Sequence, residues 1–140
     1  MSKQTPVNDP MVGTWKLNLS KSTYSPGPAP KSAINKFEPW EDGMKATIDV
    51  VDGQENKIHS EATVKFDGKD YPIKGSPIAD AVSVKRANER QSDIVWKKGG
   101  KAVMTGKSVI SADGRTTTVT QTGTDPQGRA VNNVAVYDKQ

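Results

Sequence analysis

Few side chains in this sequence could make or break bonds. There is no cysteine, which excludes a thiol nucleophile, a disulfide and a thiolate metal site. The single histidine, His59, leaves no room for a multi-histidine metal cage. It alternates out of step with the apolar side chains of its own segment, so it is expected to face solvent, on the same outer parity as Asp49 and Glu61. Acid–base chemistry would have to use those carboxylates, and neither stands near a nucleophile pattern or a G-x-S-x-G elbow. No glycine-rich turn leads into a helix, so phosphate-loop and dinucleotide fingerprints are missing. The expectation is a protein that is not an enzyme, with no catalytic residue, metal ligand or cofactor.

The remaining chemistry is that of contact. Phe37, Met44, Phe66 and Trp96 fall on plausible inner faces, either as core packing or as the apolar wall of a small-molecule site. Asn133 and Tyr137 share one parity and could orient the polar end of a ligand. Trp15 reads as a buried plug, and its parity puts Leu17 and Leu19 inside as well; Tyr137 likewise brings in Asn133 and Ala135. Trp40, beside Pro39 and Glu41 at a turn, reads as a partly exposed rim residue.

These residues need a sheet to position them. Ile58, Ser60, Ala62, Val64 and Phe66 alternate with Lys57, His59, Glu61, Thr63 and Lys65; Met44, Ala46, Ile48 and Val50 alternate with Lys45, Thr47 and Asp49. A period of two sends one set to each face of a strand. Asp42-Gly43, Asp52-Gly53, Asp67-Gly68, Gly99-Gly100 and Asp113-Gly114 are hairpin signals, because such turns need positive φ. Asp125-Pro126-Gln127-Gly128 is a longer turn of the same kind. The strands between them are expected at Gly13–Leu19, Lys31–Glu38, Gly43–Val51, Lys57–Phe66, Lys69–Ile73, Ala81–Ala87, Ser92–Lys98, Lys101–Ser111, Arg115–Gly123 and Ala130–Asp138. A meander of this length closes into a barrel to remove its edges. Ser76-Pro77-Ile78 could instead start a short helix, although Val82 and Val84 suit a strand better. Ser20 to Ser32, with Pro26, Pro28 and Pro30 at alternate positions, is expected as an extended, solvated loop.

Composition sets the outer bounds. At 140 residues the chain is long enough for one domain with a real core, spanning 1–140 with 1–11 as a flexible N-terminal tail. Only 33% of residues are hydrophobic, which together with strict alternation describes a sheet with one wet face. The longest apolar run is the four residues Val134 to Tyr137, far short of a membrane helix. The net charge is +4, but 20 basic residues are interspersed with 16 acidic ones, not clustered as nucleic-acid binders cluster them. No nucleic-acid partner or membrane span is expected, and the oligomeric state stays open. Met1 to Pro10 has no apolar export segment, so the sequence as it stands reads as cytoplasmic, or as periplasmic or secreted if a signal was removed.

Gly13-Thr14-Trp15-Lys16-Leu17 resembles the G-x-W opening of lipocalins and fatty-acid-binding proteins, and Val136-Tyr137-Asp138-Lys139 is similar to the last strand of the latter. From Asp9 to Gln140 the chain also resembles small bacterial lipocalin-like proteins, through Phe66-Asp67-Gly68-Lys69-Asp70-Tyr71-Pro72 and Val131-Asn132-Asn133-Val134-Ala135-Val136-Tyr137. The resemblance implies a calycin-type all-β antiparallel barrel of about 8–10 strands. Fatty-acid-binding proteins cover the barrel mouth with two helices after the first strand; here that place holds the proline-rich segment, so no helical lid is expected. Their carboxylate clamp includes an arginine two positions before the closing tyrosine. Here Tyr137 matches but Ala135 stands for the arginine, and the family's second clamp arginine falls near Ser108. The expected ligand is therefore a small apolar, neutral molecule. The alternative is a barrel filled by its own side chains, acting as a structural or protein-interaction module.

Overall fold

The period-two runs become strands almost where the sequence sets them. The computed structural model describes Pro6 and Asn8–Gln140; the remainder of the expected N-terminal tail lies outside the described residues. The strands are β1 (Gly13–Leu17), β2 (Thr23–Ser25), β3 (Ser32–Trp40), β4 (Gly43–Val51), β5 (Lys57–Val64), β6 (Tyr71–Pro72), β7 (Ala81–Asn88), β8 (Gln91–Lys98), β9 (Lys101–Ile110), β10 (Thr116–Thr124) and β11 (Ala130–Lys139). Ten of them form one antiparallel path, β5-β4-β3-β1-β11-β10-β9-β8-β7-β6, and β2 pairs with β11 beside it. The first and last strands meet in the middle of the path, Trp15 opposite Lys139 and Leu17 opposite Tyr137. The path nearly closes on itself where Glu61 of β5 and Lys74, just after β6, exchange two backbone hydrogen bonds of 2.9 Å. Among the described residues there is no α-helix, only a 3-10 turn at Leu19–Lys21. The architecture is a nearly closed all-β barrel without a helical lid.

The departures have local causes. β1 stops at Leu17 because the chain turns into the 3-10 segment, so parity fails beyond it and Leu19 is 42% exposed instead of inside. The segment from Ser20 to Ser32 is not wholly a solvated loop. Asn18 N–H donates to the Val136 carbonyl, the Ser22 hydroxyl accepts from Val136 N–H, and Thr23–Ser25 then resumes the pairing along β11. β6 keeps only Tyr71–Pro72 of the expected Lys69–Ile73, and proline, with no N–H to donate, suits such a short edge strand. Asp67-Gly68 makes no tight hairpin: Asp67 bridges to Lys85, and β5 and β6 do not pair with each other. Ser76 to Asp80 forms neither helix nor strand, and β7 begins at Ala81. Gly99-Gly100, both at positive φ, turns β8 into β9 as a two-residue hairpin loop requires.

Two apolar clusters fill the interior. Leu17, Ala33 and Ala135 pack with Tyr24, Val50, Val119 and Tyr137. Met44, Val64 and Val82 pack with Met11, Val12, Phe37, Phe66 and Trp96 among others.

Candidate ligand-binding site

In an antiparallel meander the strand ends alternate between two rims. The start of β1, the β3–β4, β7–β8 and β9–β10 turns and the end of β11 share one rim. The N-terminal segment closes it. Asp9 accepts two hydrogen bonds from the Arg86 guanidinium, at 2.7 and 2.8 Å, and both side chains are largely buried. Burial raises the Asp9 pKa, but Arg86 and the Met11 N–H outweigh it and hold the carboxyl below its ordinary value. Met11 and Val12 pack onto the core, and the Trp15 indole N–H donates to the Met11 carbonyl at 3.1 Å. Residues Asp9–Met11, expected in the tail, are thus the floor of the barrel.

Above this floor lies an internal cavity of about 410 Å³. Phe37 and Met44 line it from β3 and β4, Trp96 from β8, Tyr137 from β11, and Phe66 from the chain just after β5. Five of the six residues singled out in the sequence therefore line one cavity. Asn133 does not line it. Its side-chain amide donates to Gln121 Oε1 at 3.3 Å and its oxygen accepts from Ser25 N–H at 3.2 Å, tying β2 and β10 to β11. Trp15, 1% exposed, is a core plug and a part of the cavity wall at once. Ala135 packs against Leu17 and Ala33 instead of lining the cavity, whereas Ser108 does line it. Trp40 sits half-buried at the rim with the Lys65 ammonium 5.9 Å from its ring centre.

Several lining residues escape a search for large apolar side chains. Asn35 and Ser92 face inward, and the signal was available: Asn35 shares its parity with Ala33 and Phe37, and Ser92 with Ile94 and Trp96. Ser76, Pro77 and Ile78 also line the cavity, from a loop pinned by hydrogen bonds from the Lys98 ammonium to the Pro77 carbonyl and from Gly99 N–H to Asp80. No periodicity announces a loop that folds inward.

Electrostatically the interior is close to neutral. Among the described residues no Lys, Arg or His lines the cavity, and the one lining carboxylate, that of Glu61, is directed to His59 on the outside. Lys107 lies on the outer face, and Arg129 pairs with Asp125 at 2.8 Å. Burial pushes the Tyr137 phenol above its ordinary pKa, and the adjoining side chains of Asn35 and Tyr24 only partly oppose it. Tyr24 is likewise raised by burial and by its tyrosine neighbour. Both phenols are neutral over the physiological range. A second depression, about 320 Å³, lies on the outer face across β8–β10 and is bordered by Asp93, Thr105, Lys107 and Thr122. It is an open notch in a wet surface.

No protein-family model matches the chain, and no curated protein does. Among solved structures, the zebrafish ileal bile acid-binding protein complexed with cholic acid superposes with a TM-score of 0.53 at 13% sequence identity, covering 94% of this chain and 99% of that one. At that identity the likeness speaks for shape alone, and the shape extends over nearly the whole of both chains. The chain shares the fold of that protein, as the resemblance in its sequence implies: an antiparallel β-barrel, nearly closed, around an internal cavity.

Proposed function

We propose that this protein binds a small, neutral, apolar molecule inside its barrel. The observation that carries this reading is the internal cavity of about 410 Å³, walled mainly by apolar side chains and, among the described residues, by no cationic one. Small-molecule sites fall in the range of about 300–1,000 Å³ and use just such walls. Affinity comes from apolar area removed from water, worth roughly 25 cal/mol per Å². Phe37, Met44, Phe66 and Trp96 supply that area, and Tyr137 offers a neutral hydroxyl to a polar end. A carboxylate head would leave water for a site without a counter-ion, and nothing there offsets the lost hydration. The cholic acid in the zebrafish structure supports the capacity of this barrel shape for a compact, largely apolar guest. The chain's own lining argues for a guest without the charge. Asn133, engaged by Gln121 and Ser25, ties β2 and β10 to β11 and is left out of the proposed site.

The test is a tryptophan-fluorescence titration with a neutral apolar dye and with a fatty acid of matched length. The dye is expected to bind more tightly, with most of the emission change lost in Trp96→Phe. Tighter binding of the acid, weakened by salt, would overturn the neutral-ligand reading. Binding of neither, with Trp96→Phe folded normally, would favour a structural or protein-interaction barrel.

A further inference from the structure

Two polar atoms inside the barrel have no hydrogen-bond partner among the described residues. One is the side-chain oxygen of Asn35, a residue 9% exposed on β3; the other is the hydroxyl of Ser92, 1% exposed on β8. Both residues line the cavity. A buried polar atom left unpaired costs about 1–3 kcal/mol, and native interiors hold few of them. Two on the wall of one mainly apolar cavity therefore call for a partner within it. The registers extend the polar surface: Ser92 stands opposite Ser108, which also lines the cavity, and Asn35 stands opposite Trp15, the indole that meets the N-terminal floor.

Chemistry selects the partner. The Asn35 amide N–H reaches the Tyr137 hydroxyl, and its oxygen, an acceptor only, is left to take an O–H or N–H from the guest, while the Ser92 hydroxyl can donate or accept. An ionised carboxylate offers only lone pairs and would set them against those of the Asn35 oxygen. An ether or ester also lacks the donor. A hydroxyl group donates and accepts, and so satisfies the Asn35 amide in either of its two orientations. Resting on the reading that the interior is a ligand site, we infer that Asn35 and Ser92 form a hydroxyl-recognising subsite, and that the ligand class is an apolar alcohol. The apolar wall of Phe37, Met44 and Trp96 takes the hydrocarbon body.

Decan-1-ol, decyl methyl ether and decanoic acid separate these cases by displacement of a bound apolar dye. The full-length protein is expected to bind the alcohol about tenfold more tightly than the ether, and the acid most weakly. Ser92→Ala is expected to cut the alcohol's advantage severalfold, and Ser92→Ala with Asn35→Leu to abolish it, with ether affinity kept. The single variant removes one oxygen atom and serves on its own if the double variant does not fold by circular dichroism. Equal binding of alcohol and ether by the unaltered protein overturns the subsite while leaving a ligand site in place. An alcohol preference undiminished in Ser92→Ala also overturns it. If none of the three displaces the dye and the dye itself does not bind, the ligand reading fails and the subsite fails with it.

Discussion

Trp15 shows how a single side chain can be both scaffold and wall. The residue is 1% exposed, its N–H is satisfied by the Met11 carbonyl, and the Lys139 ammonium lies over the ring, 5.3 Å from its centre. Trp15→Ala is expected to cost about 3–5 kcal/mol in urea denaturation, since the floor cannot collapse into the space left; a loss below about 1 kcal/mol would mean that the floor does not depend on it. His59 makes the opposite kind of contribution. Its Nδ1 lies 2.6 Å from Asp49 and its Nε2 3.1 Å from Glu61, on the outer face of β4 and β5. Those hydrogen bonds, that to Asp49 foremost, raise its pKa above 6.5. A raised folded-state pKa means that the charged cluster stabilises the fold fully below the unfolded-state pKa, and that this is lost as pH rises through the folded one. With one histidine in the chain, a proton NMR titration reads it directly. A midpoint higher than in the urea-unfolded chain, returning toward it in Asp49→Asn, is expected; equal midpoints would show that the cluster does not form in solution. The solvent-facing side of His59 and the burial of Trp15 were both legible from parity. Leu19 was not, because parity holds only while the strand continues, and nothing in Leu17-Asn18-Leu19 marks the stop.

The elements were read from alternation and turn residues, and that signal is strong wherever one face is wet. It weakens where strands are short. β2 has only Thr23, Tyr24 and Ser25, set just before the proline-rich stretch, and it exists because β11 offers it an unpaired edge beyond the end of β1. That is a tertiary cause, invisible in a local window. Glycine placement carries a subtler signal at Gly106 in β9. A Cβ there would lie 2.1 Å from the Thr120 carbonyl oxygen and 3.0 Å from the Trp96 ring, so the absence of a side chain lets β9 and β10 approach and gives Trp96 its seat. Gly106→Ala is expected to destabilise by about 1–3 kcal/mol, the usual cost of overpacking, and to move the tryptophan emission as Trp96 is pushed into the cavity. Unchanged stability together with unchanged emission would mean that the ring can settle elsewhere without penalty. The residues around the cavity were legible in proportion to size: Phe37, Met44 and Trp96 stand out, whereas Asn35 and Ser92 share their parity but carry no apolar signature.

At the scale of the molecule the barrel is closed unevenly. β10 and β11 pair over nine residues, from Thr116 opposite Asp138 to Thr124 opposite Ala130. On the far side, β5 is joined to the chain that follows β6 by the single bridge between Glu61 and Lys74. The sequence foretold closure, since a long meander cannot leave two bare edges. It could not locate the seam, which depends on β6 being too short to ladder with β5. The loop of Ser76, Pro77 and Ile78 follows Lys74 directly and lines the cavity, so the weakest stretch of wall stands beside the part of the site contributed by that loop. Local openings draw on regions with few hydrogen bonds and little packing, and their free energies range from near zero up to the global value. Native-state hydrogen exchange is therefore expected to find the Glu61 and Lys74 amides, each bonded at 2.9 Å across the seam, exchanging well before the hydrogen-bonded amides shared by β10 and β11. Their exchange should depend only weakly on denaturant, as for openings that expose little surface. A neutral guest that seats against the Ser76–Ile78 loop should slow both amides by binding the closed wall in preference to the open one. Protection at Glu61 and Lys74 equal to that of β10, with the same denaturant dependence, would mean that the seam opens only when the whole barrel unfolds, and a guest would then need another way in.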